Sequence, residues 1–407
     1  MNSESKENKI IIEHEGKKHE LCEYMFGALK MDHSSPLCCV SEANNSFSID
    51  YYKGCSFQCA YCHVQGIYED LDENYKMYKS PRPRSNFSIQ EIIDELIRHP
   101  YFVKDKSIIS IATSSTEPFA NPETTNKTLE IMEYFVSQGY KNPFWIVTKA
   151  GIPKGIQNRL KNIIDHGNKT MISICWANNP REIEPAQSNR FKNIETLKDT
   201  GVCISWYLRP LVKEWGANKD NLEEMIKTIS EKYYDYIDMI VPGGLRWTEG
   251  IEFGLNVMRK LEMPDLVKEN NKKTLSNEIE INIKELCQKY FPKKPVYFNS
   301  SCAVSHMLNR TNIAMLNIFD KSICEKSNCT NCCKKSCENI TFTREDLDFY
   351  EKKLKEQEID IRFESIDFEN KIKSFPEFNS FGYSERQQIR KTIALFYNER
   401  NKADESK

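Results

Sequence analysis

Between residues 47 and 241 the chain repeats one pattern, and that pattern limits its folds more than any other feature. Short apolar runs, rich in β-branched residues, fall at 47–52, 107–113, 144–148, 171–176, 202–208 and 236–241. Between them lie stretches with helical spacing. Ser88 and Glu91 form a capping box ahead of Ile92, Ile93, Leu96 and Ile97 on one helical face. Further helices are predicted at 124–138, 157–165, 190–199 and 221–232, and Gly139, Gly167 and Gly201 stop the first three of these. Strands that alternate with helices form a parallel sheet through right-handed crossovers. Six strand-led units are too few for an eight-stranded barrel but suit an open one. The expected class is therefore α/β, a partial (β/α)6 barrel with a C-terminal cysteine-rich and helical extension.

In such a fold, chemistry gathers where strands end. The first run leads into Cys55, Cys59 and Cys62, three thiols at spacings of x3 and x2. The second leads to Glu117 and Pro118, and the third ends at Thr148-Lys149. The fourth carries Ser173 and Cys175 on one face, the fifth ends in Arg209-Pro210, and the sixth runs into Pro242 and Arg246. Charged and hydroxyl groups thus converge on one rim while the strands stay apolar. Zinc and ordinary iron–sulfur sites want four protein ligands. No fourth cysteine is close in sequence, since Cys38, Cys39 and Cys175 are the nearest. Three thiolates on a four-iron cluster leave one iron open to a non-protein ligand. The alternative is a zinc knuckle completed by a distant cysteine or by His63.

The cysteine triplet, with Tyr61 just before its last member, resembles the cluster loop of the radical S-adenosylmethionine (SAM) superfamily. Over residues 47–250 the resemblance extends to the spore photoproduct lyase-like branch. Its marks are Thr116-Glu117-Pro118-Phe119 followed by Asn121-Pro122-Glu123, then Val147-Thr148-Lys149, then Ser173, Glu184-Pro185 and Arg190. The branch's usual Gly-Gly-Glu is replaced here by Ser115-Thr116-Glu117. The resemblance implies a 4Fe-4S cluster on Cys55, Cys59 and Cys62, whose open iron chelates SAM. One-electron reduction would then release a 5′-deoxyadenosyl radical that takes hydrogen from a substrate. It also implies that Lys149 and Ser173 hold the SAM ribose or carboxylate. Glu117, Arg190 and Arg209 complete the expected SAM-binding set. A carboxylate wants a cation, and a ribose wants hydroxyl partners.

A second cysteine group lies at 324–337: five cysteines in fourteen residues, among Lys, Asn and Ser. So polar a setting excludes core packing. Cys324, Cys329, Cys332 and Cys337 are the expected ligands, with Cys333 and Cys302 as rivals. The group suits an auxiliary 4Fe-4S cluster, frequent among radical SAM enzymes, or a structural zinc. Spore photoproduct lyase itself lacks such a cluster. Five segments follow: an N-terminal extension (1–45) with a short hairpin at 10–21, the radical SAM core (46–250), a helical connector (251–300) ending in an apolar strand-like stretch at 296–298, the auxiliary segment (301–340) and a helical module (341–407). In that module helices are expected at 344–357 and 385–398, with a strand at 359–363.

The net charge is −2 over 407 residues, which gives no general electrostatic footprint for nucleic acid. A basic run at Lys76, Lys79, Arg82 and Arg84, with Tyr75 and Tyr78, is read as a solvated loop or an anion contact. The N-terminus shows no apolar signal region, and no apolar run reaches the roughly 18 residues of a membrane span. A cytoplasmic enzyme is expected, because fifteen cysteines without a secretory signal point to metal or clusters. Its partners would be SAM, a peptide or small-molecule substrate, and a reductant such as flavodoxin or ferredoxin. The alternatives are nucleic-acid lesion repair and a non-catalytic iron–sulfur or zinc scaffold.

Overall fold

The computed structural model describes residues 9–22, 34–43, 46–99, 102–113, 115–184, 190–264, 275–310, 341–367 and 371–382, with residues 385, 386, 388–390, 392, 393 and 396. The N-terminal hairpin is present as Lys9–His14 (β1) and Lys17–Cys22 (β2), paired antiparallel. Its turn residues Glu15 and Gly16 take φ of 49° and 75°, which suits a tight two-residue connection. Ile12 and Leu21 face inward from it and pack with Val64, Leu71, Met77 and Phe253 beside Cys55 and Cys62. The hairpin therefore backs the cysteine loop.

A seven-stranded, mostly parallel sheet forms the centre. Val40–Ala43 (β3) lies at its edge, antiparallel to Ser46–Ile49 (β4). The chain then makes a small ladder from Tyr52–Lys53 (β5) and Arg82–Pro83 (β6), with the cysteine loop between them. The sheet continues through Ile108–Ile111 (β7), Phe144–Thr148 (β8), Thr170–Cys175 (β9), Cys203–Tyr207 (β10) and Met239–Ile240 (β11). The order across it is β11-β10-β9-β8-β7-β4-β3, and every neighbouring pair but the last is parallel. Six parallel strands match the six runs read from the sequence. The seventh, β3, falls within the N-terminal extension. It is four residues long with Glu42 in its middle, too short and too polar to stand out by periodicity.

The connecting helices are Ile89–Arg98 (α1), Pro122–Ser137 (α2), Gln157–Asp165 (α3), Lys192–Leu197 (α4) and Lys219–Tyr233 (α5). Their starts follow local chemistry. Ser88 and Glu91 make the expected capping box on α1, and Asn121 with Thr124 makes one on α2, where Pro122 occupies the first turn. Gly139 stops α2 at φ 69°, a conformation that a side chain resists. The helix expected from 190 starts later, at Lys192, because Arg190 is drawn inward by a buried ion pair. β7 and β9 are buried along their whole length, as strands covered on both faces should be.

Beyond the sheet, Glu249–Glu252 (α6) runs into a π-helical turn over Phe253–Met258. Asn277–Tyr290 (α7) and Ser300–Met307 (α8) follow. Between them Val296 bridges Ile240 in parallel, so the strand-like stretch at 296–298 touches the sheet as one bridge. The C-terminal module has its own core around Leu347, Tyr350, Leu354, Phe363 and Ile389. It holds Arg344–Lys355 (α9) and an antiparallel pair, Arg362–Asp367 (β12) with Lys371–Phe375 (β13). The strand expected at 359–363 is thus displaced and acquires a partner. Cys324, Cys329, Cys332, Cys333 and Cys337 lie outside the described residues. No helix among the described residues is long and apolar enough to cross a membrane.

Candidate functional site

The cysteine loop is shaped by side-chain amides. Gln65 is buried, and its Nε2 donates to the carbonyls of Cys59 (3.3 Å), Ala60 (2.9 Å) and Cys62 (3.1 Å). Gln58, at φ 49°, donates to the Cys55 carbonyl at 2.6 Å and to the Tyr78 carbonyl at 3.3 Å. The Cys55 amide donates to Tyr78 O at 2.9 Å, and Arg259 Nη2 donates to Gln58 O at 2.6 Å. Gly66 and Gly250 bring the loop against α6: a Cβ on Gly250 would lie 2.1 Å from the Gly66 Cα. Glycine is needed at that crossing for space, not for backbone freedom.

Beside the loop stands a buried ionic network that joins its Tyr61 to residues that follow β8 and β9. Lys149 follows β8, and its ammonium lies 3.7 Å from Cys59 Sγ, 3.7 Å from Glu184 Oε1 and 4.2 Å from the Tyr61 ring centre. It also donates to the Tyr61 hydroxyl. Tyr61 in turn donates to Glu184 Oε2 at 2.5 Å and stacks on Trp215 with ring centres 5.9 Å apart. Arg190 Nη1 lies 2.5 Å from Glu184 Oε1 and donates to the Cys175 carbonyl at 2.8 Å. Asn179 donates to Glu184 Oε2 at 3.2 Å. Arg190 is 1% exposed and Glu184 also 1%, so neither is the surface group that a position near a helix start would suggest.

The remaining expected residues fall around this centre. Glu117 accepts from the Thr148 hydroxyl and, at 2.9 Å, from the Lys149 amide, so it holds the backbone that carries Lys149. Ser173 is buried within β9 and accepts from Trp145 Nε1 at 3.0 Å. Arg209 lays its guanidinium 3.7 Å over the Tyr207 ring, and its buried Nε has no hydrogen-bond partner among the described residues. Cys175 donates to the Arg209 carbonyl at 3.4 Å. Cys302, the rival ligand, sits on α8 and packs with the cluster that contains Cys175, Tyr207 and Trp145. The basic run divides: Arg82 Cζ lies 4.4 Å over the Tyr78 ring, whereas Arg84 is buried against Asp70 at 2.7 Å.

The electrostatics follow from burial. Desolvation raises the thiols of Cys55, Cys59 and Cys62, the last to about 11, and Lys149 offsets part of this at Cys59. Any metal bound here must therefore displace protons. Burial works against the charge on Lys149, but Cys59 and Glu184 outweigh it and hold the ammonium above its ordinary range. Glu184 is likewise opposed by burial, and Lys149 and Arg190 bring it below the usual carboxylate range.

Sequence reasoning missed Gln58, Gln65 and Arg259, because a side chain that caps loop carbonyls leaves no spacing signature. Sequence marks Tyr61 only as an aromatic neighbour of Cys62; its hydroxyl role in the network comes from the fold. Among the described residues no three His, Cys, Asp or Glu side chains converge as a site for a single ion. A single zinc wants each sulfur about 2.3 Å from one point. A four-iron cluster takes its thiolates on different irons, so its demand on the loop differs. Comparison of the chain with protein-family models finds no match, and comparison with curated proteins finds none.

Proposed function

We propose that this protein is a radical SAM enzyme, with its six parallel strands curved as a partial (β/α)6 barrel and a 4Fe-4S cluster held by Cys55, Cys59 and Cys62. The observation that carries the reading is the Lys149 ammonium 3.7 Å from Cys59 Sγ, where a strand-end cation meets a three-thiol loop. The donor set fits the group. Three thiols sit on a loop whose carbonyls are tied down by Gln58 and Gln65, and no fourth cysteine belongs to that loop. The buried Nε of Arg209, without a partner among the described residues, fits an anionic group such as the carboxylate of SAM.

Bound there, the cluster and SAM would supply one-electron sulfonium cleavage and hydrogen-atom abstraction from a peptide or small-molecule substrate. The chain's own residues bind, orient and exclude water. Gln65 fixes the direction of three loop carbonyls. Tyr61 and Glu184 hold Lys149 at the loop, and Arg190 neutralises the carboxylate that does so. Trp215 covers the Tyr61 ring. The electron would come from a one-electron carrier such as flavodoxin or ferredoxin.

The test is anaerobic purification, iron and sulfide analysis, and assay of 5′-deoxyadenosine formed from SAM with dithionite. Iron loading with deoxyadenosine formation is the expected result, with the deoxyadenosine and the iron of this loop, but not any iron of the tail segment, lost in Cys59→Ala. Full iron loading with no SAM cleavage would instead favour a non-catalytic scaffold.

A further inference from the structure

We infer that Lys149 sets the reduction potential of the cluster on Cys55, Cys59 and Cys62 by standing as a fixed positive charge against the Cys59 sulfur, with Glu184 tempering it. The inference rests on the reading of that loop as a cluster site and goes beyond it. It assigns Lys149 a task that is present before SAM arrives.

The geometry gives the ammonium little freedom. Lys149 Nζ is 3.7 Å from Cys59 Sγ, and the Lys149 side chain is 17% exposed. It is held from the other side by the Tyr61 hydroxyl and by Glu184 at 3.7 Å. Those holders are themselves fixed, Tyr61 by its stack on Trp215 and Glu184 by Arg190 and Asn179. A flexible surface lysine would spread its charge over many positions; this one has a single position.

Reduction adds one electron to the cluster from a one-electron donor and makes or breaks no bond. Its whole electrostatic effect is one more negative charge beside Cys59. A cation at that distance, away from bulk water, stabilises the more negative state and raises the midpoint potential. Glu184 lies beside the same ammonium and partly cancels its field, so its charge acts in the opposite direction. Arg190 keeps that cancellation incomplete, since two cations face one carboxylate in this network.

The experiment is a redox titration of anaerobically reconstituted protein without SAM, following the paramagnetic signal of the reduced cluster. Lys149→Met keeps most of the length of the side chain and removes the charge. It is expected to retain its iron and to lose at least tenfold in the reduction equilibrium, a fall of about 59 mV for one electron. Lys149→Arg should stay near wild type, and Glu184→Gln should move upward. An iron-loaded Lys149→Met with the wild-type midpoint overturns the inference and leaves the cluster reading standing. If Lys149→Met fails to hold iron, Glu184→Gln decides: a rise supports the inference, and an unchanged or lower midpoint overturns it. Wild-type protein that takes up no iron overturns the cluster reading and this inference with it.

Discussion

At the scale of single residues, the site depends on polar side chains that no motif would select. Gln65 is the clearest. One amide nitrogen serves three carbonyls of the cysteine loop. Gln65→Leu keeps the bulk and leaves those carbonyls without their donor, at a cost of about 1–3 kcal/mol. A lower thermal midpoint is expected and, if the loop holds the proposed cluster, poorer iron retention; an unchanged melt with full iron would show that the loop is held by other contacts. Asp70 gives a prediction in pH. Burial raises its carboxyl from 3.8 to about 6, although Arg84 contacts it at 2.7 Å and opposes the shift. The folded state then binds the Asp70 proton more tightly than the unfolded chain. Its contribution to stability is greatest below 3.8, is lost as the pH rises through about 6, and is constant above that. Asp70→Asn removes this titration. Urea denaturation of both proteins should therefore give a stability difference that changes across that window. A difference that stays flat would mean that Arg84 outweighs the burial.

At the scale of elements, the loop's position depends on how α6 crosses it. Gly66 and Gly250 meet backbone to backbone, so neither can carry a side chain without moving the other's segment. Gly250→Ala is expected to destabilise by about 1–3 kcal/mol, as overpacking does. With the proposed cluster bound, its visible spectrum should shift as well, because the cysteine loop is carried on the displaced segment. Gly151→Ala is the control: nothing lies within 4 Å of a Cβ there, and it should melt close to wild type. Equal melting of the two variants would show that α6 yields without cost. The strands need less explanation. Apolar runs flanked by a capping box at Ser88, by Pro122 or by Gly139 are unambiguous, and Phe144–Thr148 and Gln157–Asp165 have the bounds read from the sequence. β3 and β13 were missed because a short strand with charged residues gains its identity from the partner it pairs with.

At the scale of the whole molecule, two groups of cysteines divide the chain. If Cys324, Cys329, Cys332 and Cys337 bind a second four-iron cluster, the anaerobic protein should carry about eight irons, and the Cys55/Cys59/Cys62 triple alanine variant about four. One zinc and no colour in that variant would instead make the tail segment a structural staple. Sequence alone determined the alternation of the six parallel strands with their helices, the parallel class of that sheet and the place of the cysteine loop after the first parallel strand. These are local matters: periodicity, caps and spacing act within a few residues. Only the tertiary structure decided which side chains meet. Tyr61, Lys149, Glu184 and Arg190 come from the cysteine loop, from the end of β8 and from the segment after β9, and span 129 positions, since 190 − 61 = 129. Their charges are tolerated in the interior only as a set. That set exists only when the parallel sheet has brought its strand ends side by side.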